Sequence, residues 1–324
     1  MADRPADAVG ERSSGQITAR RRGLSVRLLL LGANGQIGWE LRRSLQPLGN
    51  IVALDRHDCD LSLPECLPSL VRSIGPAVIV NAAAYTLVDR AEGEERMAMS
   101  VNCTAPGVLA QEARACGALL VHYSTDYVFD GTKESPYLED DSPHPINAYG
   151  RSKLAGEIAI AQAADAYLIF RTSWVYAARG HNFMLTVLRL AAEKDEIRIV
   201  ADQVGTPNWA RNLADATFHA VRQALAERAD GSFMSGLFHL TASDATSRFG
   251  FAEAILEEAR RTGLIAAQRM PQLLPVTTEE YPTPAARPKN SWLDGARFRQ
   301  RFGVALPQWR EGLRLCLQTL DSQL

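Results

Sequence analysis

The chain has 324 residues, 46% of them apolar and 22% charged, with 35 Lys and Arg against 37 Asp and Glu. That mixture suits a soluble protein with a substantial core, and the near-neutral balance gives no electrostatic case for nucleic-acid binding. No stretch approaches about 18 consecutive apolar residues, which excludes a membrane-spanning helix.

Residues 1–24 carry Arg20, Arg21 and Arg22 and lack the apolar core of a secretory signal. They are expected to be a disordered leader, with the folded chain starting near Val26. From there short apolar runs alternate with amphipathic stretches. Val26–Leu31, Ile51–Leu54, Ala77–Val80, Leu119–Tyr123 and Tyr167–Phe170 read as buried strands. Ile37, Leu41 and Leu45 recur at helical spacing until Pro47 and Gly49 stop the pattern; Ala105–Ala115 and Ser152–Ala164 also read as helices. Strands separated by helices predict an α/β fold, a doubly wound parallel sheet of the Rossmann type. Beyond Trp174 the pattern loosens. Phe183–Ala192, Leu213–Ala226 and Phe251–Arg261 look helical, Ile197–Val200 and Leu237–Leu240 look like strands, and proline-rich Pro271–Pro288 is expected to break regular structure. The predicted division is a dinucleotide-binding domain over residues 25–176 and a smaller mixed α/β substrate lobe over 177–324, with some elements returning to the main sheet.

The first strand runs into Gly32-Ala33-Asn34-Gly35-Gln36-Ile37-Gly38 and then a helix. Gly32 permits a tight turn, Gly35 lets backbone N–H groups approach a pyrophosphate, and Gly38 allows close helix–strand packing. The helix N-terminus adds partial positive charge. A glycine triplet alone is weak evidence, but its place between a hydrophobic strand and a helix is the context a dinucleotide site requires. Asp55 ends the second strand and suits a ribose hydroxyl, while Arg56 suits a 2′-phosphate, so NADH and NADPH both stay open. Ala82, Ala83 and Ala84 after the third strand leave room for adenine or ribose.

Thr125 ends the next run, and Tyr149 and Lys153 stand four apart at the start of a helix, on one face of it. An ammonium near a phenol is expected to lower its pKa, making Tyr149 a general acid or base for a carbonyl/alcohol couple. Thr125 would polarise the same carbonyl. Together with the phosphate loop, the trio predicts hydride transfer from a nicotinamide. The six histidines and five cysteines show no metal-ligand spacing, and the thiols read as reduced, consistent with a cytoplasmic protein.

In this order of motifs the chain resembles the extended short-chain dehydrogenase/reductases, and within them the family that makes dTDP-L-rhamnose by reducing the C4 ketone of dTDP-4-dehydro-L-rhamnose. The resemblance rests on GANGQIGWEL (32–41), VIVNAAAYTLVDRAE (78–92), VHYSTDYVFDG (121–131), NAYGRSKLAGE (147–157), LIFRTSWVYA (168–177), DQVGTPN (202–208) and YPTPAARPKNSWLD (281–294). It implies Tyr149 as proton donor, Lys153 on the nicotinamide ribose and Thr125 completing the triad. It further implies cofactor contacts at Gly35, Gln36, Ile37, Asp55, Asp60, Leu61, Ala82, Ala83, Ala84 and Tyr123. Thr125, Asp126 and Trp174 would face the sugar nucleotide, with Trp174 an apolar platform for the deoxysugar. Arg287 and Asn290 lie in the proline-rigid loop, where an arginine fork suits the substrate diphosphate. Magnesium and a homodimer come from the resemblance alone, and no magnesium ligands are assigned. Competing readings are a nucleotide-sugar 4-epimerase or dehydratase, and a non-catalytic regulatory subunit. The Asp126-Tyr127 pair after Thr125 speaks against a dehydratase, and the presence of both Tyr149 and Lys153 speaks against the subunit.

Overall fold

The computed structural model describes residues 26–266 and 270–321; the expected leader lies outside the described residues. Six strands form the central sheet: β1 (Val26–Leu31), β2 (Gly49–Leu54), β3 (Val78–Asn81), β4 (Leu119–Thr125), β5 (Tyr167–Thr172) and β6 (Gly236–His239). Their order is β6-β5-β4-β3-β1-β2, and every neighbouring pair is parallel. Leu28 to Leu31, Val78 to Val80 and Leu119 to Val121 are buried throughout. This explains why these strands read as continuous apolar runs instead of alternating ones: helices cover both faces. Each such leucine contributes roughly 1.5–3 kcal/mol by leaving water.

The crossover helices are α1 (Gln36–Ser44), α2 (Leu67–Ile74), α3 (Ala105–Cys116), α4 (Ala148–Ala163) and α5 (Ala210–Asp230). α1 and α5 are joined by Arg211–Glu40 at 3.0 Å, Arg43–Asp215 at 2.6 Å and a bond from Ser44 Oγ to the Ala214 carbonyl. The later half of the chain therefore braces the first crossover as well as supplying β6. One apolar cluster runs from Leu28 and Val80 through Phe170 and Tyr176 to Phe298 and Trp309.

Residues 271–288 depart from the sequence expectation. Gln272–Val276 is a strand, parallel to Glu196–Val200, with Pro275 opposite Ile199. A ribbon of two strands has only edges, so a proline lacking N–H can sit there without breaking a ladder. Among the described residues no helix is long and apolar enough to cross a membrane.

β2 and β3 flank β1, so the direction of winding reverses between β1 and β3. At the carboxyl end of these strands the crevice opens where connections diverge, and ligands of such sheets bind there.

Candidate active site

The glycine turn occupies that crevice. Gly32 has φ +79°, and a Cβ there would lie 2.6 Å from the Ala83 nitrogen, so the ends of β1 and β3 meet backbone to backbone. A Cβ on Gly38 would lie 2.0 Å from the Gly32 carbonyl oxygen, which makes the third glycine a packing requirement. Gly35, the residue before α1, supplies no side-chain cap to the helix. The first turn of α1 thus keeps amides for an external acceptor, as a pyrophosphate requires. This cradle fits the dinucleotide anticipated from sequence.

Around it the expected cofactor residues divide. Asp55 accepts from Asn34 Nδ2 and from the His57 N–H at 2.7 Å, tying the end of β2 to the turn. Arg56 extends from the same loop to Asp60 at 3.4 Å. Gln36 accepts from Asn182 at 2.9 Å and donates to the Val175 carbonyl at 3.4 Å, so its side chain holds the segment 175–182 over the start of α1. Ile37 packs on the core, Ala82 donates its N–H to the Leu31 carbonyl, and Ala82, Ala83 and Ala84 are half-buried beside the turn. Two residues are turned elsewhere. The Leu61 side chain is buried among Leu67, Val71 and Leu109, and the Tyr123 ring lies in the core with its hydroxyl 2.6 Å from Thr217 Oγ1. Period-two alternation along β4 sends Tyr123 to the α5 side and leaves only its carbonyl toward α4. Asp60 folds back on the Ser62 N–H, which holds its carboxyl below the usual range.

α4 begins over the end of β4. Asn147 caps it, accepting from the Gly150 N–H at 2.7 Å while donating to the Ala286 carbonyl. A Cβ at Gly150 would strike the Tyr127 carbonyl at 2.1 Å, so only glycine lets the helix settle this close. Tyr149, Lys153 and Glu157 then descend one face of α4 onto the sheet. Tyr149 is half-buried, its ring edge-on to Tyr127 at 5.8 Å. Thr125 Oγ1 donates to Asp126 Oδ1 at 3.0 Å and accepts the Tyr127 N–H at 3.2 Å. Glu157 forms a bidentate buried pair with Arg171 of β5 at 2.9 and 2.6 Å.

Lys153 differs from the sequence expectation. Its Nζ donates to the Tyr123 carbonyl at 2.6 Å and lies 3.1 Å from His122 Nε2. Burial pushes its pKa down to about 8, against the pull of Glu157. The phenol of Tyr149 is correspondingly raised: burial dominates, Thr125 opposes it, and Asp126 and Tyr127 add to it. The expected lowering by Lys153 is absent because the amine is directed into β4.

Among the residues expected to face the sugar nucleotide, Asp126 is buried and pushed up to about 6, chiefly by burial, with Ser291, Thr125 and Arg248 drawing it down. Trp174 sits at φ +42°, an unusual conformation for a tryptophan, held by the Asn208 N–H on its carbonyl. The Arg248 guanidinium stacks 3.9 Å above its ring. Arg287 forks onto Asp89 at 2.8 and 3.0 Å and, with Arg248, bears on the Tyr127 phenol. Asn290 bonds to the chain itself: its amide donates to the Lys133 and Ser135 carbonyls and accepts the Trp292 N–H, so it straps loops together. A recess of about 830 Å³ adjoins this strap, lined by Lys133, Asp244, Lys289 and Trp309, and none of Thr125, Tyr149 or Lys153 lines it.

Sequence reading missed Asn81, Asp89, His122, Tyr127 and Arg248. Only Tyr127, next to Thr125-Asp126, carried a local signal.

The profile of the RmlD substrate binding domain family matches residues 26–322. The dTDP-4-dehydrorhamnose reductase of Burkholderia thailandensis is 51% identical over 298 residues, 92% of this chain and 100% of that protein. Its counterpart in Escherichia coli K12 is 47% identical over 297 residues, 90% and 97% of the two chains. The crystal structure of dTDP-4-dehydrorhamnose reductase from Bacillus anthracis in complex with NADP aligns at TM-score 0.80 and 34% identity, covering 91% of this chain and 100% of that one. A UDP-glucose 4-epimerase from Thermus thermophilus, at 19% identity and TM-score 0.74, shares the fold. With its glycine cradle and this similarity over nine-tenths of its length, the chain belongs to the dTDP-4-dehydrorhamnose reductase family.

Proposed function

We propose that this protein reduces the C4 ketone of dTDP-4-dehydro-L-rhamnose to dTDP-L-rhamnose with NADPH or NADH, in the cytoplasm and as a homodimer. Residues 25–176 chiefly bind the dinucleotide and 177–324 chiefly the sugar nucleotide. The observation that carries the reading is that α4 starts with Tyr149 over the end of β4, where Thr125 stands, at the carboxyl edge of the sheet that also bears the glycine turn.

Gly32, Gly35 and Gly38, with the amides that open α1, hold the dinucleotide. When bound, it supplies the hydride for C4. Tyr149 supplies the proton to the C4 oxygen. Its raised pKa suits this direction of reaction, because the phenol arrives protonated at neutral pH. Thr125 is placed to donate to the same oxygen once its hydroxyl turns from Asp126. Trp174 offers its ring to the deoxysugar, Asp126 accepts from a sugar hydroxyl, and Arg248 and Arg287 form the cationic pole for the diphosphate.

The test is cofactor oxidation with a panel of 4-keto nucleotide sugars. Oxidation of NADPH or NADH is expected with dTDP-4-dehydro-L-rhamnose. Tyr149→Phe should lower turnover by on the order of 10²-fold or more while leaving cofactor affinity nearly unchanged. Full turnover by that variant would remove Tyr149 as donor, and stoichiometric NAD retained through purification would favour an epimerase.

A further inference from the structure

Asn81, His122 and Lys153 form a buried line from β3 across β4 to α4, each at most 1% exposed. The hydrogens along it can be counted. The Ala83 N–H donates to Asn81 Oδ1 at 3.1 Å, and because a backbone N–H only donates, this bond fixes which end of the amide is oxygen. Asn81 Nδ2 is therefore the atom 3.1 Å from His122 Nδ1. An amide nitrogen also only donates, so Nδ1 presents a lone pair. Burial holds the His122 pKa well below its ordinary value, so the ring carries one proton, and that proton is on Nε2.

Nε2 in turn lies 3.1 Å from Lys153 Nζ. An Nε2–H meets an acceptor there only if Nζ is an amine with a free lone pair, since an ammonium would oppose hydrogen to hydrogen. The amine still has hydrogens for the Tyr123 carbonyl at 2.6 Å. We propose that Asn81 and His122 are positioning residues that park Lys153 as a neutral amine before the dinucleotide binds, and that binding draws Nζ off His122 with uptake of one proton from solvent. The proposal rests on the reading that Lys153 serves the nicotinamide ribose.

The surroundings of Nζ agree. Glu157, one turn along α4, favours the ammonium, but both its oxygens are bound by Arg171 of β5. Ahead of α4, Glu92 accepts the Ala148 N–H and Glu95 pairs with Arg151 at 3.4 Å. Cys103, whose backbone packs near Gly156, is a thiol raised by burial and stays neutral. With the Lys153 pKa down to about 8, the amine is the resting form above that pH, where a solvent-exposed lysine would still be charged.

Nitrogen-15 NMR of histidine-labelled, cofactor-free protein should show His122 protonated at Nε2 and bare at Nδ1; the opposite tautomer overturns the proposal. Calorimetric titration with NADPH above pH 8, in buffers of different ionisation heat, should register uptake of about one proton, and no uptake would also overturn it. Asn81→Asp replaces the donor facing His122 by an acceptor while keeping one for Ala83. The line should then run in reverse, from ammonium to Nε2 and from Nδ1–H to carboxylate. Proton uptake should disappear and the alkaline limb of the rate profile should move toward the ordinary lysine range, whereas a merely structural role would lower stability and leave that limb in place. If Asn81→Asp does not fold, the two wild-type measurements decide. Neither requires turnover, so failure of the proposed reaction would leave them readable.

Discussion

The glycine turn and the side chains proposed to meet the sugar nucleotide are built by opposite means. At Gly32–Gly38 the surface is chiefly backbone: the tight turn at Gly32 and the close packing at Gly38 depend on the absence of a side chain. On the proposed sugar side Asp126, Trp174, Arg248 and Arg287 come from four separate stretches and act through their side chains, positioned by partners such as Asp89 and Asn208. A backbone surface tolerates no added atom, whereas a side-chain surface loses function by degrees.

The sharpest way to break this contrast is Gly38→Val. Its Cβ would start 2.0 Å from the backbone carbonyl oxygen of Gly32, so we expect destabilisation by about 3–5 kcal/mol in urea unfolding and loss of NADPH binding. Wild-type stability in that variant would show that the turn can yield. Arg287→Ala tests the other side and should raise the sugar-nucleotide KM about tenfold, or about 1.4 kcal/mol, with kcat little changed. An unchanged KM would confine Arg287 to its pair with Asp89. Asn290→Ala should do least to the reaction: about 1–2 kcal/mol of stability from lost bonds to the Lys133 and Ser135 carbonyls, with KM as in the wild type. A raised KM would return Asn290 to the ligand.

The same contrast explains what the sequence disclosed. The parallel sheet, the glycine turn and the Tyr149–Lys153 spacing are local patterns, and local geometry realises them directly. Contacts of high sequence separation left no such trace. Arg248 reaches Trp174 across 74 positions of chain, and Arg287 reaches Asp89 across 198. His122 looked like one more histidine inside a strand, because its meaning depends on Asn81 and Lys153, which only the fold brings beside it. Tyr123 shows how far a strand's alternation bears on such an expectation. The resemblance placed it beside the cofactor, but strand alternation turns its ring into the core and leaves the carbonyl as the only part facing α4.

β6 sets a limit on how such a protein can be taken apart. It comes from residues 236–239 yet closes the outer edge of β5, pairing Leu237 with Ile169 and Phe238 with Phe170. A fragment ending at Tyr176 would leave that edge bare, a ready template for stacking one molecule on the next. A break between its halves would separate two pieces that share one sheet.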